Sequence, residues 1–456
     1  MDWYDMLPLS KSPCLDSMER TKRRQQVLLR QLRDPELCRS VDFQVTSCSG
    51  TSSQPAFGSP ASRNDDVVVV AACRTPICKA KRGSFKDTPA EDLLEHVLKA
   101  VLEKTGVHPH EVGDIVIGNV IAPGFSRAAE CRLAAFFGGF PETVPIKTVN
   151  RKCASGLQAV ADVAAAIKSS LYEIGIGAGV ESMSLDVGVH KYAFNPKVYS
   201  QPNQNAKDCL IPMGITSEIV ADKYHVSRTD QDKAALLSQK RAAEAAAKGK
   251  FDDEIVPVQT KVIDKKNGIE RIVIVSADEG IRPDTSITVL SKLKSSFKNG
   301  GSTTAGNSSQ ISDGAAAVLL MRREVAVRRG LSILGTIRSF SAVGVKPETM
   351  GIGPAFAIPA AVKAARLNLE DIDLFEINEA FASQYVYCLR SLGLDAGKVN
   401  VNGGAIALGH PVGATGARCI ATLLHEMKRR GKSCRYGIVS MCVGTGMGAA
   451  AVFESA

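Results

Sequence analysis

"TGVHPHEVGDIVIGNV" at residues 105–120 and "ARLNLEDIDLFEINEA" at 365–380 follow one plan. Each closes a helix, turns through an acidic link, runs into an apolar strand and reaches an asparagine, Asn119 in the first and Asn378 in the second. These asparagines lie 259 residues apart. Cys153 and His410, each near the start of a helix rich in small residues, lie 257 apart, and Gly175 and Gly437 lie 262 apart. Three near-equal offsets in chain order predict a duplicated α/β unit of roughly 120–130 residues.

The segments around these anchors alternate between strand and helix patterns. "DVVVVAAC" (66–73) reads as a buried strand, and "PAEDLLEHVLKAVLEKTG" (89–106) has helical spacing closed by Gly106. "CASGLQAVADVAAAIKSS" (153–170) opens a small-residue helix, and "EIGIGAGVESMS" (173–184) a further strand. Residues 185–300 break the alternation. They hold a helix over 228–249 and, around Asn267-Gly268, a hairpin with a type I′ turn. An insertion of this size in a repeat is expected to shape a binding site. The predicted division is therefore a leader at 1–63, a first half at 64–325 with the insertion at 185–300, and a second half at 326–456.

The leader is rich in Ser, Pro, Arg and Gln and ends in a linker-like run. Within it Arg24–Leu32, "RQQVLLRQL", puts both ends of a nonapeptide on one helical face and resembles the N-terminal peroxisomal targeting signal. Met18 as an alternative start would bring that signal to the front. An Arg-rich mitochondrial presequence is disfavoured by the nearby acids, and without a working signal the chain would stay in the cytosol.

Composition excludes several classes. No apolar run approaches the ~18 residues of a membrane span, and 5% aromatic residues with no basic-aromatic cluster argue against nucleic acid. The net charge of +9 suits either a mildly basic surface or attraction of a polyanionic substrate. Twelve cysteines without C-x-x-C spacing indicate neither a zinc site nor a disulfide framework. His108 and His110 lack further ligands and are expected at the surface.

Cys153 falls between a strand and a helix, where free N–H groups would stabilise a thiolate and lower its pKa, although a packed core cysteine is the alternative. His410 stands at the matching place in the second repeat, in "GGAIALGHPVGATGAR" (403–418), where small neighbours leave room for an approaching group. A Cys–His pair is an activated nucleophile. Cys442 precedes Gly444, Gly446 and Gly448, and this run leads into an apolar strand rather than a helix, so a dinucleotide loop is rejected. The glycines suit close ligand approach and oxyanion-binding N–H groups.

Together "VNRKCASGLQAV" (149–160), "NEAFA" (378–382), "GGAIALGHPVGATGAR" and "CVGTGMGAA" (442–450) resemble the four signature blocks of the thiolase family, in order, over about residues 66–455. The leader and "NEAFASQYVYC" resemble its degradative, plant-type peroxisomal branch, which acts on 3-ketoacyl-CoA. The resemblance implies two βαβαβαββ halves in a five-layer αβαβα arrangement with an inserted loop domain. It implies a homodimer with no bound cofactor or metal, coenzyme A serving as co-substrate.

By the same resemblance Cys153 is the nucleophile, His410 its base and Cys442 the acid or base at the substrate's α-carbon. Asn378 holds a water that shares one oxyanion pocket with His410, and the N–H groups of Cys153 and Gly444 form the other. Arg282, Leu293, Phe297, Ala305 and Ser309 fall where the family contacts coenzyme A, and Met213 borders the acyl pocket. Cys209, in a loop without a family pattern, is a redox candidate that could pair with Cys153. The alternatives are a biosynthetic acetoacetyl-CoA thiolase, a non-catalytic CoA-binding protein and a cysteine hydrolase.

Overall fold

The computed structural model describes residues 63–456 apart from 123, 188–193, 201 and 265–267. Residues 1–62, with Arg24–Leu32 and Met18, and Asn267 of the expected turn lie outside the described residues. The first strand, β1 (Val67–Arg74), buries all eight of its residues. Val68, Val70 and Cys73 belong to one apolar cluster, whereas Val67, Val69 and Ala72 belong to another. A strand buried on both faces must be covered by helices on both sides.

The remaining strands are β2 (Cys78–Lys79), β3 (Asp114–Gly118), β4 (Ile146–Val149), β5 (Ile174–Ser182), β6 (Val258–Ile263), β7 (Glu270–Val275), β8 (Ser312–Arg322), β9 (Gly335–Gly344), β10 (Leu374–Ile377), β11 (Tyr436–Val443) and β12 (Met447–Ser455). The main helices are α1 (Ala90–Thr105), α2 (Gly124–Phe137), α3 (Ser155–Lys168), α4 (Met213–Lys223), α5 (Arg228–Ala247), α6 (Gly353–Ala364), α7 (Ala382–Leu392) and α8 (Thr415–Arg430). Gly106 closes α1 in the left-handed region at φ 64°, as its position in the sequence predicts. The large sheet runs β10-β11-β12-β9-β1-β8-β5-β3-β4, with β2 on β8.

Duplication is visible in the strand register. In the first half β3 runs parallel to β5 with Asp114 opposite Gly175. In the second, β10 runs parallel to β11 with Leu374 opposite Gly437. The half-sheets meet where Val68 and Val69 of β1 pair with Thr336 and Gly335 of β9. Three apolar clusters define the layers. Residues of α1 and α2 pack on the outer face of the first half-sheet, and residues of α6 and α7 on the outer face of the second. Between the half-sheets lie Leu157, Val160 and Val163 of α3 against Ile420, Leu424 and Met427 of α8. The result is the five-layer αβαβα fold.

The segment between β5 and β8 supplies α4, α5 and the antiparallel pair β6–β7. It is pinned to the sheets by buried charge. Arg74 on β1 bonds Glu254 at 2.6 Å and makes a two-pronged pair with Asp278 at 2.7 and 2.9 Å. Pairs this deep cost desolvation free energy and act mainly to fix one arrangement.

Candidate active site

The family blocks converge at the carboxyl ends of β4, β10 and β11. Cys153 lies in the loop from β4 to α3, next to Lys152 at φ 47°. Asn378 follows the last residue of β10 and donates its backbone N–H to Ser440 O at 2.9 Å. Cys442 is fully buried on β11, and Gly444 begins the three-residue turn to β12, in which Thr445 and Gly446 both take positive φ, 68° and 90°. His410 follows Gly409, whose φ of 115° only glycine adopts readily.

The imidazole of His410 is held at both nitrogens. Thr415 Oγ1 donates to Pro411 O at 2.9 Å, so its remaining lone pair accepts from His410 Nδ1–H at 2.6 Å. That bond fixes the tautomer and leaves Nε2 unprotonated, 3.3 Å from Asn378 Nδ2. Burial, with Arg418 nearby, pushes His410 down to about 3, so it is a neutral base at physiological pH. The backbone N–H of His410 donates to Gln310 O at 3.0 Å.

Gln310 and Glu379 hold the rest of this loop. Gln310 Nε2 donates to Gly280 O and Ala407 O at 2.9 and 3.1 Å. Glu379 accepts from Ser238 Oγ at 2.7 Å, Asn400 Nδ2 at 2.8 Å and Ile406 N at 3.2 Å. The insertion thus braces the histidine loop of the second half through α5.

The sulfur of Cys153 lies beside the backbone N–H groups of Gly444 and of Cys153 itself, which favour its thiolate form. The expectation of a lowered thiol pKa is not met. Burial raises it, and the N–H groups together with Lys152 only partly oppose that rise. The thiol therefore rests protonated and needs a base. Cys442 is driven up further by burial and by the neighbouring sulfurs of Cys153 and Cys388. Asn378 Oδ1 is buried without a partner, as suits an atom that meets a water or a substrate group.

Cys153 and His410 are near-equivalent rather than equivalent in the repeat. Their helices α3 and α8 begin at Ser155 and Thr415, 260 residues apart, so the strict counterpart of Cys153 is Gly413. Gly413 N donates to Glu181 Oε2 at 2.9 Å. The same buried carboxylate accepts from Asn119 Nδ2, Val120 N and Ile121 N at 2.8–3.1 Å. Thr415, Glu181, Gln310 and Glu379 were not singled out from sequence. Of these, only Thr415, in the same small-residue run as His410 and the first residue of α8, carried a local signal.

The other residues singled out from sequence are placed as follows. Met213, at the start of α4, has its sulfur 3.4 Å from where a Cβ on Gly444 would stand. Phe297 meets Phe381 edge-on with centroids 6.1 Å apart, and Ser309 N donates to Ala380 O at 3.0 Å. Ala305 is exposed and Leu293 half-buried. Arg282 has an exposed side chain; its N–H donates to Gln239 Oε1 at 2.7 Å and its carbonyl accepts from Thr285 N at 3.2 Å. Cys209 donates its thiol to Thr445 O at 3.8 Å, beside the Gly444 turn. His108 and His110 are exposed. The nine described cysteines are free, and among the described residues no cluster suited to a metal ion and no helix suited to a membrane span occurs.

The five-layer fold, with the cysteine, asparagine and histidine motifs carried on the ends of its strands and on its helix-linked loops, defines a thiolase. The profile described as "Thiolase, N-terminal domain" matches residues 67–324, and "Thiolase, C-terminal domain" matches 331–455; the chain belongs to the thiolase family. It is 63% identical to the peroxisomal 3-ketoacyl-CoA thiolase 1 of Arabidopsis thaliana, over 96% of this chain and 97% of that one. It is 56% identical to peroxisomal 3-ketoacyl-CoA thiolase B of Rattus norvegicus, over 91% and 95%. The crystal structure of the dimeric peroxisomal thiolase of Saccharomyces cerevisiae superposes with a TM-score of 0.79 and 44% identity, covering 87% of this chain and 98% of that one.

Proposed function

We propose that this chain catalyses the CoA-dependent cleavage of 3-ketoacyl-CoA to acetyl-CoA and an acyl-CoA two carbons shorter, the last step of β-oxidation, in the peroxisome. One observation carries the mechanism: the half-buried Cys153 sulfur lies beside the N–H groups of Cys153 and Gly444 and close enough to the fully buried Cys442 thiol for each to affect the other's charge. A hydrolase has no use for the second thiol, and a binding protein has none for either.

His410 Nε2 takes the Cys153 proton, and the thiolate attacks the 3-keto carbon. The oxyanion is met by the imidazolium and a water on Asn378. The C2–C3 bond breaks, and its electron pair is protonated at carbon by Cys442 as acetyl-CoA leaves. The thioester carbonyl on Cys153 then lies against the N–H groups of Cys153 and Gly444. The proton held on His410 passes to the Cys442 thiolate, and the neutral imidazole then takes the proton of a fresh CoA thiol. That thiolate attacks the thioester, the shortened acyl-CoA leaves, and His410 returns the proton to the Cys153 sulfur. Each oxyanion donor contributes roughly 10²–10³ in rate.

The proposal assigns coenzyme A to the insertion, 185–300, with Arg282, Leu293, Phe297, Ala305 and Ser309 as contacts, and the acyl chain to the side of Met213. The first half spans 64–325 and the second 326–456. The chain works as a homodimer, which the dimeric yeast relative supports, and is imported through Arg24–Leu32 of the leader. The names of the relatives support the degradative direction over acetoacetyl-CoA synthesis. Under peroxide, which would take up the two electrons, Cys209 and Cys153 would form a disulfide; undiminished peroxide inhibition in Cys209→Ser would exclude it. The main test is thiolysis of 3-ketoacyl-CoAs of several lengths by wild type and Cys153→Ala. Normal turnover in Cys153→Ala would overturn the mechanism.

A further inference from the structure

Cys442 sits in an apolar cage of Met350, Ala380 and Phe381. Within that cage its thiol finds a side-chain polar partner, donating to Gln384 Oε1 at 3.8 Å. Gln384 lies on α7 and is 1% exposed. Its other amide atom, Nε2, is buried with no hydrogen-bond partner. The stem is held in place, because a Cβ on Gly351 would stand only 2.7 Å from Gln384 Cβ. An amide N–H without a hydrogen-bond partner beside an acid–base thiol is costly to keep, and the group it lies nearest besides Cys442 is the sulfur of Cys388.

The proton cycle supplies a use. When Cys442 protonates the leaving carbon, its S–H bond breaks, a C–H bond forms and the electron pair stays on sulfur. The resulting thiolate needs a donor where the thiol needed an acceptor. The groups facing this sulfur from neighbouring elements are the thiols of Cys153 and Cys388. Cys388, beside the same amide, already donates to Gly351 O at 3.8 Å, and burial pushes it up to about 12, so it stays a neutral thiol. A primary amide is the one group here that can present either an oxygen or an N–H, and its terminal torsion is soft and nearly two-fold.

Resting on the reading of Cys442 as the acid–base thiol, we propose that Gln384 is its positioning residue in both protonation states. Oε1 accepts from the thiol, and a half-turn of the amide brings Nε2–H to the thiolate. Both forms of the sulfur are then paired inside a dry cage, and the proton can leave and return without water entering.

The test separates the two half-reactions. Deuterium exchange into the methyl group of acetyl-CoA in D2O reads proton movement at carbon, and label exchange between CoA and acetyl-CoA reads acyl transfer on Cys153. Gln384→Met keeps the volume and removes the amide. It should slow methyl exchange about 10- to 150-fold, the worth of a hydrogen bond to a charged group, while acyl transfer stays within about twofold. Gln384→Glu gives a signature that a packing role would not: a protonated glutamic acid both donates and accepts, and the carboxylate cannot donate. Methyl exchange in this variant should approach wild type at low pH and fall as pH rises through that carboxyl's pKa.

Unchanged methyl exchange in Gln384→Met, or a Gln384→Glu profile parallel to wild type, would overturn the proposal. Should Gln384→Met fail to fold, the Gln384→Glu profile decides alone. Retained exchange in Cys442→Ala would instead refute the underlying reading of Cys442. Loss there, with no effect at Gln384, would refute only the inference about Gln384.

Discussion

Thr415 is fully buried and near-isosteric with valine, so Thr415→Val isolates one hydroxyl. In the resting enzyme that hydroxyl accepts from His410 Nδ1–H at 2.6 Å and donates to Pro411 O at 2.9 Å. Removing it leaves His410 Nδ1–H buried and unpaired, at about 1–3 kcal/mol, whereas Pro411 O keeps the N–H groups of Ala414 and Thr415 at 2.8 and 3.0 Å. The kinetic cost has a separate origin. In the proposed mechanism His410 takes the Cys153 proton, and its bond to Thr415, then charge-assisted, is worth about 1.5–3 kcal/mol. At about 1.4 kcal/mol per tenfold, acylation should slow roughly 10- to 150-fold. The loss also frees the other tautomer, in which Nε2 carries the proton and cannot act as a base.

The assay is the pre-steady-state acylation burst at Cys153, read together with iodoacetamide alkylation and a melting curve. Thr415→Ser, which keeps the hydroxyl, should recover most of the rate. A wild-type burst in Thr415→Val, accompanied by a lowered melting temperature, would show that the hydroxyl serves packing alone and would refute the tautomer reasoning.

Other outcomes follow from the same geometry. Because His410 is held down to about 3, the pH–rate profile should show no histidine limb between pH 5 and 8; a limb near the ordinary value of 6.5 would contradict its burial. A Cβ on Gly179 would overlap Gly413 O, so Gly179→Ala should shift the histidine loop, destabilising the fold by more than about 2 kcal/mol and cutting turnover, as read by denaturant unfolding and steady-state kinetics. Glu426 is raised by burial but brought down to about 2 by Asn402, Arg430, Lys250 and Arg429. A depressed carboxyl stabilises the fold above its unfolded pKa, so Glu426→Gln should cost about 1–2 kcal/mol at neutral pH after solvent screening, and the difference should vanish as pH falls toward 2. Cys442→Ser should slow the C–C step more than acyl transfer; equal effects on both half-reactions would remove the division of labour between the thiols.

The repeat was legible because helix ends, acidic turns and buried strands each leave local marks, and an offset of about 260 residues survives in the β3–β5 and β10–β11 pairings. The cysteine and histidine motifs were legible because small residues and positive-φ glycines such as Gly409 and Gly446 must stand where backbone crowds a site. The reading of Cys153 as a low-pKa thiol failed for a tertiary reason. A helix terminus is a sequence feature, whereas burial is set by everything packed around it, and here burial prevails.

The sequence by itself determined the duplicated α/β plan, the motifs and the chemistry their residue types permit, because these follow from local periodicity and side-chain character. Only the tertiary structure decided which polar atoms meet. Thr415 on His410, Glu181 across to Gly413 and Gln384 under Cys442 join residues in contacts that no spacing announces. Whether a buried thiol is a thiolate or an acid depends on the summed desolvation and hydrogen bonds of its surroundings. That sum exists only once the five layers have closed around it.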